Sequence, residues 1–205
     1  SFILSFHEFK FGVYKFVGLK NYMLLFKDPV FKAAITNTLI YLIIQVPIKI
    51  VLALLFANLL NQKYLKMKGF FRISIFMPAI TALVAYSLVF KLLLNTDYGF
   101  VNYLLGLIGI PKVDWLNGPI SSKIAIILSI TWRWTGYNMV ILLAGLQAIP
   151  EELYEACDID GTNSFQKFFM ITVPLLKPII LFCTITSTIG TLQLFDESYI
   201  LTGGG

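Results

Sequence analysis

Four long stretches of this chain are almost free of charge. Residues 33–60 hold one charged side chain, Lys49, and residues 124–149 hold only Arg133. Residues 73–90 hold none and lie between Arg72 and Lys91, and residues 178–195 hold none and lie between Lys177 and Asp196. A helix crosses roughly 30 Å of hydrocarbon with about 20 mostly apolar residues, so each stretch predicts a membrane span. Residues 98–111 are also uncharged but too few to cross, and predict an interfacial or re-entrant segment. The opening SFILSF reads as the tail of a helix. With no initial methionine and three glycines at its end, the chain reads as the middle of a longer membrane protein. The fold class predicted is all-α, a polytopic helical bundle forming one transmembrane domain over residues 1–205.

Composition agrees with lipid as the solvent. Apolar residues make up 58% of the 205, and only 13% are charged, about half the ~25% of a soluble domain. Mean hydropathy is +0.80. Disorder, which needs low hydrophobicity and high charge, is excluded. The net charge of +5 is spread thinly rather than gathered on one stripe, which argues against a nucleic-acid partner. Cys157 and Cys183 cannot make a disulfide framework, and neither has a metal-ligand neighbour at useful spacing. Lys and Arg divide almost evenly between the loops on the two sides, so the positive-inside rule leaves orientation open. The dense cluster 63–72 is the one local argument for placing its loop inside.

The loop 150–174 is unusual. Five of the eleven acids lie between Glu151 and Asp160, and no base occurs between Arg133 and Lys167. Pro150 suits the first helical position, and Glu151 and Glu152 suit the first turn, where the helix dipole favours anions. Gly161 suits a C′ position. Asn163 can cap a second helix while Gln166 reaches back. Phe165, Phe168, Phe169 and Thr172 would then share one face, and Pro174 would end the helix before the next span. Two readings of this helix–turn–helix stand: an ordinary loop with its phenylalanines among lipid headgroups, or a docking element for a soluble partner.

The residues Glu155-Ala156-Cys157, then Gly161 after three, then Ile171-Thr172-Val173-Pro174 after nine more, closely resemble the EAA loop of binding-protein-dependent ABC importer permeases. That pattern reads E-A-A-x₃-G-x₉-I-x-L-P. Cys157 replaces its second alanine and Val173 its leucine. The stretches GLKNYMLLFKDPVFKAAITNTLIY (18–41), KGFFRISIFMPAI (68–80), DYGFVNYLL (97–105), WLNGP (115–119), TWRWTGYNMVILLAGLQAIPEELYEACDIDG (131–161) and FDESYILTGGG (195–205) resemble the carbohydrate-uptake branch, and within it the MalF-like first permease subunit.

The resemblance implies a type I importer permease in a bacterial-type cell membrane, its EAA loop cytoplasmic. The partners implied are a second permease subunit, two soluble ATPases and an extracellular solute-binding protein. It further implies that Glu155, Ala156, Cys157, Gly161, Phe165, Phe168, Phe169, Ile171 and Pro174 couple the pathway to an ATPase, and that the subunit itself is no enzyme. The chain has no GxxxxGK[ST] loop, so ATP is expected on the partner ATPases and no cofactor on this chain. Intramembrane polar residues tend to face a pathway. The resemblance implies a sugar held between the corresponding helices of two subunits, which makes Tyr137, Ser187, Thr191 and Gln193, with Asn138 and Trp134 behind them, the expected substrate-pathway residues, although Ser and Thr in such helices commonly bond their own backbone. His7 reads as solvated, Asp196 and Glu197 as a solvated boundary or else part of a gate or of a docking surface for the binding protein, and Lys49 as a snorkelling or interface residue. An ABC permease for another solute is the nearer alternative. An ion-driven secondary transporter is the farther one, opposed by the placement of every acid outside or at the edge of a span.

Overall fold

The computed structural model describes residues 2–62, 64–159 and 161–203. Ser1, Gly204 and Gly205 lie outside the described residues, as do Lys63 of the basic cluster and Asp160 of the acidic window. The chain divides into two compact units, Ser1–Ile40 and Tyr41–Gly205.

In the first unit, residues 2–6 form no full helix. A single 3₁₀ turn, Ile3–Phe6, leads into an antiparallel hairpin of β1 (His7–Lys10) and β2 (Val13–Phe16), in register His7 to Phe16. Phe11 and Gly12 at its tip both have positive φ, 52° and 82°, as a two-residue type I′ turn requires. This hairpin is the exception to the all-α reading. Helix α1 (Lys20–Lys27) is tied back by the Asn21 side chain, which donates to the carbonyls of Ser5 and His7 at 2.9 and 3.1 Å. Helix α2 runs from Pro29 to Asn61. Pro29 opens it, and the Asp28 carboxylate accepts from the Val30 amide at 2.8 Å, which satisfies one of the first-turn donors.

The second unit is built on α2, α6 (Ser121–Gln147) and α9 (Val173–Leu192). Val46, Ile50, Ala53, Ala57 and Leu60 recur at three- and four-residue intervals and pack against Met139, Leu142, Leu143 and Leu146 of α6, with Leu176 and Cys183 of α9. One face of each helix is therefore buried. The other faces stay apolar and exposed, as at Val51, Leu59, Leu181 and Phe182, which suits surfaces meeting lipid. Helix α6 is the central one, with 61% of its apolar window buried against 17% for residues 164–192. Gly136 makes its closest packing possible: a Cβ there would stand 1.9 Å from the backbone oxygen of Ile75.

The stretch 73–90 is not one straight span. Helices α3 (Lys68–Ile80) and α4 (Leu83–Leu93) meet at a break where the axis turns by 98°. The cause is local. Pro78 removes an amide from the last turn of α3 and disfavours a straight continuation. Thr81 and Ala82 are then extended, with ψ of 137° and 136°. The freed Thr81 carbonyl is taken by Nη2 of Arg133, at 3.2 Å.

The uncharged piece 98–111 yields the short helix α5 (Phe100–Leu107), held by one buried side chain. The Asn102 amide donates to the carbonyls of Thr96 and Val113 at 3.0 and 2.9 Å, and its oxygen accepts from the Val113 amide and the Trp115 indole at 3.1 and 3.0 Å. Nearby, the Asn117 side-chain amide donates to Asp114 and holds that carboxyl below the usual carboxylate range. Helix α7 (Glu151–Ile159), helix α8 (Ser164–Lys167) and a π-helical turn (Phe168–Thr172) form the acidic loop and its exit. Helix α10 (Asp196–Thr202) ends the described chain.

Candidate functional site

The loop 150–174 is a closed local structure. Helix α7 ends in a Schellman motif: the Thr162 amide donates to the Cys157 carbonyl and the Gly161 amide to that of Asp158, both at 3.1 Å. Gly161 has φ +71°, the left-handed C′ conformation that glycine adopts without cost. Helix α8 begins with a full capping box. The Asn163 side chain accepts from the Gln166 amide at 2.8 Å, and the Gln166 side chain accepts from the Asn163 amide at 2.9 Å. The two helices are joined across the turn by the Lys167–Asp158 ion pair and by Tyr154 Oη to Thr172 Oγ1 at 3.0 Å.

Pro174 does not end the second helix. Residues 164–192 run as one helical piece, because the turn Phe168–Thr172 widens to π geometry before the proline. The Val173 amide bonds the Phe168 carbonyl, five residues back. The extra residue in that turn takes up the bond Pro174 cannot make. The wider turn also separates the four side chains expected on one face. Phe165 and Phe169 are exposed, with rings 4.6 Å apart, Phe168 is half-buried, and Thr172 is buried beneath Tyr154. Glu155 and Ala156 are exposed, Cys157 and Ile171 half-buried, and Pro174 exposed. The loop therefore offers water an acid and an aromatic pair from one rigid frame.

A second site lies between α6 and α9. A cavity of about 190 Å³ is lined by Trp134, Tyr137 and Asn138 of α6 and by Ser187 and Thr191 of α9, among others. Five of the six expected pathway residues thus meet there. Gln193 does not: it caps the C-terminus of α9 and is exposed. Thr191 bonds the Ser187 carbonyl at 2.9 Å and Gln45 Oε1 at 3.2 Å. Thr184 and Thr186 are bonded to backbone carbonyls of their own helix, as the commoner reading of such residues anticipates. Asn138 donates to the Trp134 carbonyl at 3.0 Å, and its buried oxygen has no partner.

Two charges that the sequence reading left at the margins belong to this cavity. Lys49 lines it and is buried, so it does not snorkel. Glu197 also lines it and is buried rather than solvated, because α10 turns back onto the bundle and sets the carboxylate 3.6 Å from Arg133. The Arg133 guanidinium stands over the Tyr86 and Trp134 rings at 4.5 and 5.2 Å. The signal for Lys49 was present, since a lone charge in an apolar span marks function or pairing. For Glu197 the partner, Arg133, lies far away in sequence.

Residues 29–205 match the family described as the binding-protein-dependent transport system inner membrane component. This chain belongs to that family. Membership makes it a membrane-embedded transport component rather than an enzyme. The lactose transport system permease protein LacF of Rhizobium radiobacter is 50% identical, over 100% of this chain and 69% of its own length. A crystal structure of a bacterial ABC transporter involved in the import of the acidic polysaccharide alginate superposes with TM-score 0.78 and 27% identity, over 91% of this chain and 66% of that one. Another, of a bacterial alginate ABC transporter with an alginate pentasaccharide-bound periplasmic protein, gives TM-score 0.76 and 26% identity, over 90% and 65%. The fold is that of an ABC importer permease, and the chain spans about two thirds of the length of these relatives.

Proposed function

We propose that this protein forms one half of the translocation pathway of an ATP-driven importer for sugars, meaning an oligosaccharide or a related polyol or glycerol-phosphate solute. A second permease subunit forms the other half. Two ATPase subunits bind and hydrolyse ATP on the cytoplasmic side, and an extracellular solute-binding protein delivers the sugar. The sugar class is supported by the lactose and alginate relatives and by a cavity that combines aromatic rings with hydroxyl and amide groups.

The observation that carries the coupling role is the rigid loop frame with its exposed ends. Glu155 is free to make a charge-assisted hydrogen bond with a basic group of an ATPase. Phe165 and Phe169 supply apolar area for a cleft. The Schellman turn and the capping box hold both in fixed relation, and the unbroken helix 164–192 carries movement of the loop into the cavity wall at Ser187 and Thr191.

The test is a reconstituted importer carrying Glu155→Lys. Sugar-stimulated ATPase activity and uptake fall to background while the subunit still inserts and assembles in the membrane. Wild-type stimulation with this variant would overturn the coupling role.

A further inference from the structure

Within the cavity the charges do not balance. Its charged lining residues are Lys49 and Glu197, and Glu197 is already held by Arg133 at 3.6 Å. Lys49 is only 4% exposed, and among the described residues its ammonium has neither an ion pair nor a hydrogen bond. A buried cation without a counter-charge is costly, and inside a membrane protein such a residue marks a ligand or a partner. The donor excess extends one helical turn. Gln45, on the same face of α2, is fully buried, and its Nε2 has no partner, while its oxygen shares the single Thr191 hydroxyl proton with the Ser187 carbonyl. Two unused donors therefore lie in or beside a small cavity that also holds aromatic rings and a free Asn138 oxygen.

We propose that the solute class admitted to this cavity is an anionic saccharide, one carrying a carboxylate or comparable acidic group. Lys49 supplies the opposing charge and Gln45 a flanking hydrogen bond. The neutral hydroxyls of the same sugar face Asn138, Ser187 and Tyr137. This refines the sugar-importer reading and rests on it. An acid supplied by the second permease subunit is the competing source of counter-charge, and the experiment separates the two.

The complete importer, with its partner permease and ATPases, is titrated in detergent with sodium glucuronate and with glucose at equal ionic strength. Tryptophan fluorescence, to which Trp134 contributes from the cavity wall, and thermal stability are read together. Glucuronate is expected to shift both signals at concentrations where glucose does not. Lys49→Gln is expected to weaken the glucuronate response at least about tenfold, as loss of one member of a buried charge pair does, and Lys49→Arg to retain most of it. Equal responses to the two sugars, or an unchanged glucuronate response in Lys49→Gln, would overturn the proposal. So would failure of Lys49→Gln to assemble with the second permease when Lys49→Arg assembles, since the counter-charge would then belong to that subunit. ATP-dependent uptake of a panel of neutral and acidic sugars by the wild-type importer in liposomes is measured separately. Its absence for every sugar would count against the importer reading itself, whereas uptake of neutral sugars alone would count only against the anionic class.

Discussion

Tyr137 and Trp134 stand edge to face, ring centroids 6.0 Å apart, on the wall of the α6–α9 cavity. Aromatic rings bury large apolar area with few rotatable bonds, and Tyr137 also carries a hydroxyl. Nearly half-exposed at 43%, it has room to meet a solute without repacking the core. Tyr137→Ala is expected to raise the sugar concentration for half-maximal uptake by roughly tenfold, about 1.4 kcal/mol, and Tyr137→Phe by much less. An unchanged value in the alanine variant would remove Tyr137 from the pathway. Thr191 is different in kind, because its hydroxyl is already engaged by the Ser187 carbonyl and Gln45 Oε1.

Between elements, the decisive contact is α3 against α6 at Gly136. The backbone of Ile75 occupies the space a side chain would need, and a carbonyl oxygen cannot rotate aside as a side chain can. Close approach of this kind is the usual role of small residues between membrane helices. Gly136→Ala is expected to cost about 1–3 kcal/mol of packing strain, seen as a lower aggregation temperature of the complex in detergent. Gly106→Ala in α5 is the control, since a Cβ there meets nothing within 4 Å; equal effects in the two variants would refute the close-packing argument. The break between α3 and α4 belongs to the same scale. Pro78 stands in the last turn before it, and Arg133, reaching across from α6, bonds the Thr81 carbonyl at the break.

Seen as a whole, the molecule has one free thiol in the loop 150–174 and one in the bundle. Cys157 is half-buried and Cys183 fully buried. This pair tests sidedness, which the nearly even division of Lys and Arg left open. With Cys157 as the sole cysteine, a membrane-impermeant maleimide is expected to label inside-out vesicles and leave intact cells unlabelled. With Cys183 alone, neither preparation labels. Labelling of Cys157 from the outside of intact cells would reverse the proposed orientation.

The linear pattern alone determined that the chain lives in a membrane, where its apolar helices lie, and how the acidic loop is punctuated. Each of these depends on neighbours within a few residues: a run long enough to cross lipid, a glycine at a C′ position, an asparagine three residues before a glutamine. The EAA-like spacing is equally local, and Glu155 and Gly161 could be named from it, while the phenylalanines are grouped by helical spacing. Tertiary structure decided the rest. Whether 73–90 crosses straight or bends depends on what receives the Thr81 carbonyl at the break, and that partner is 52 residues away. Whether Pro174 stops a helix depends on a π turn that a packed loop can support. Whether Glu197 is solvated depends on α10 folding back against Arg133. In lipid every backbone polar group must find a partner inside the protein, and the identity of that partner is a property of packing rather than of order along the chain.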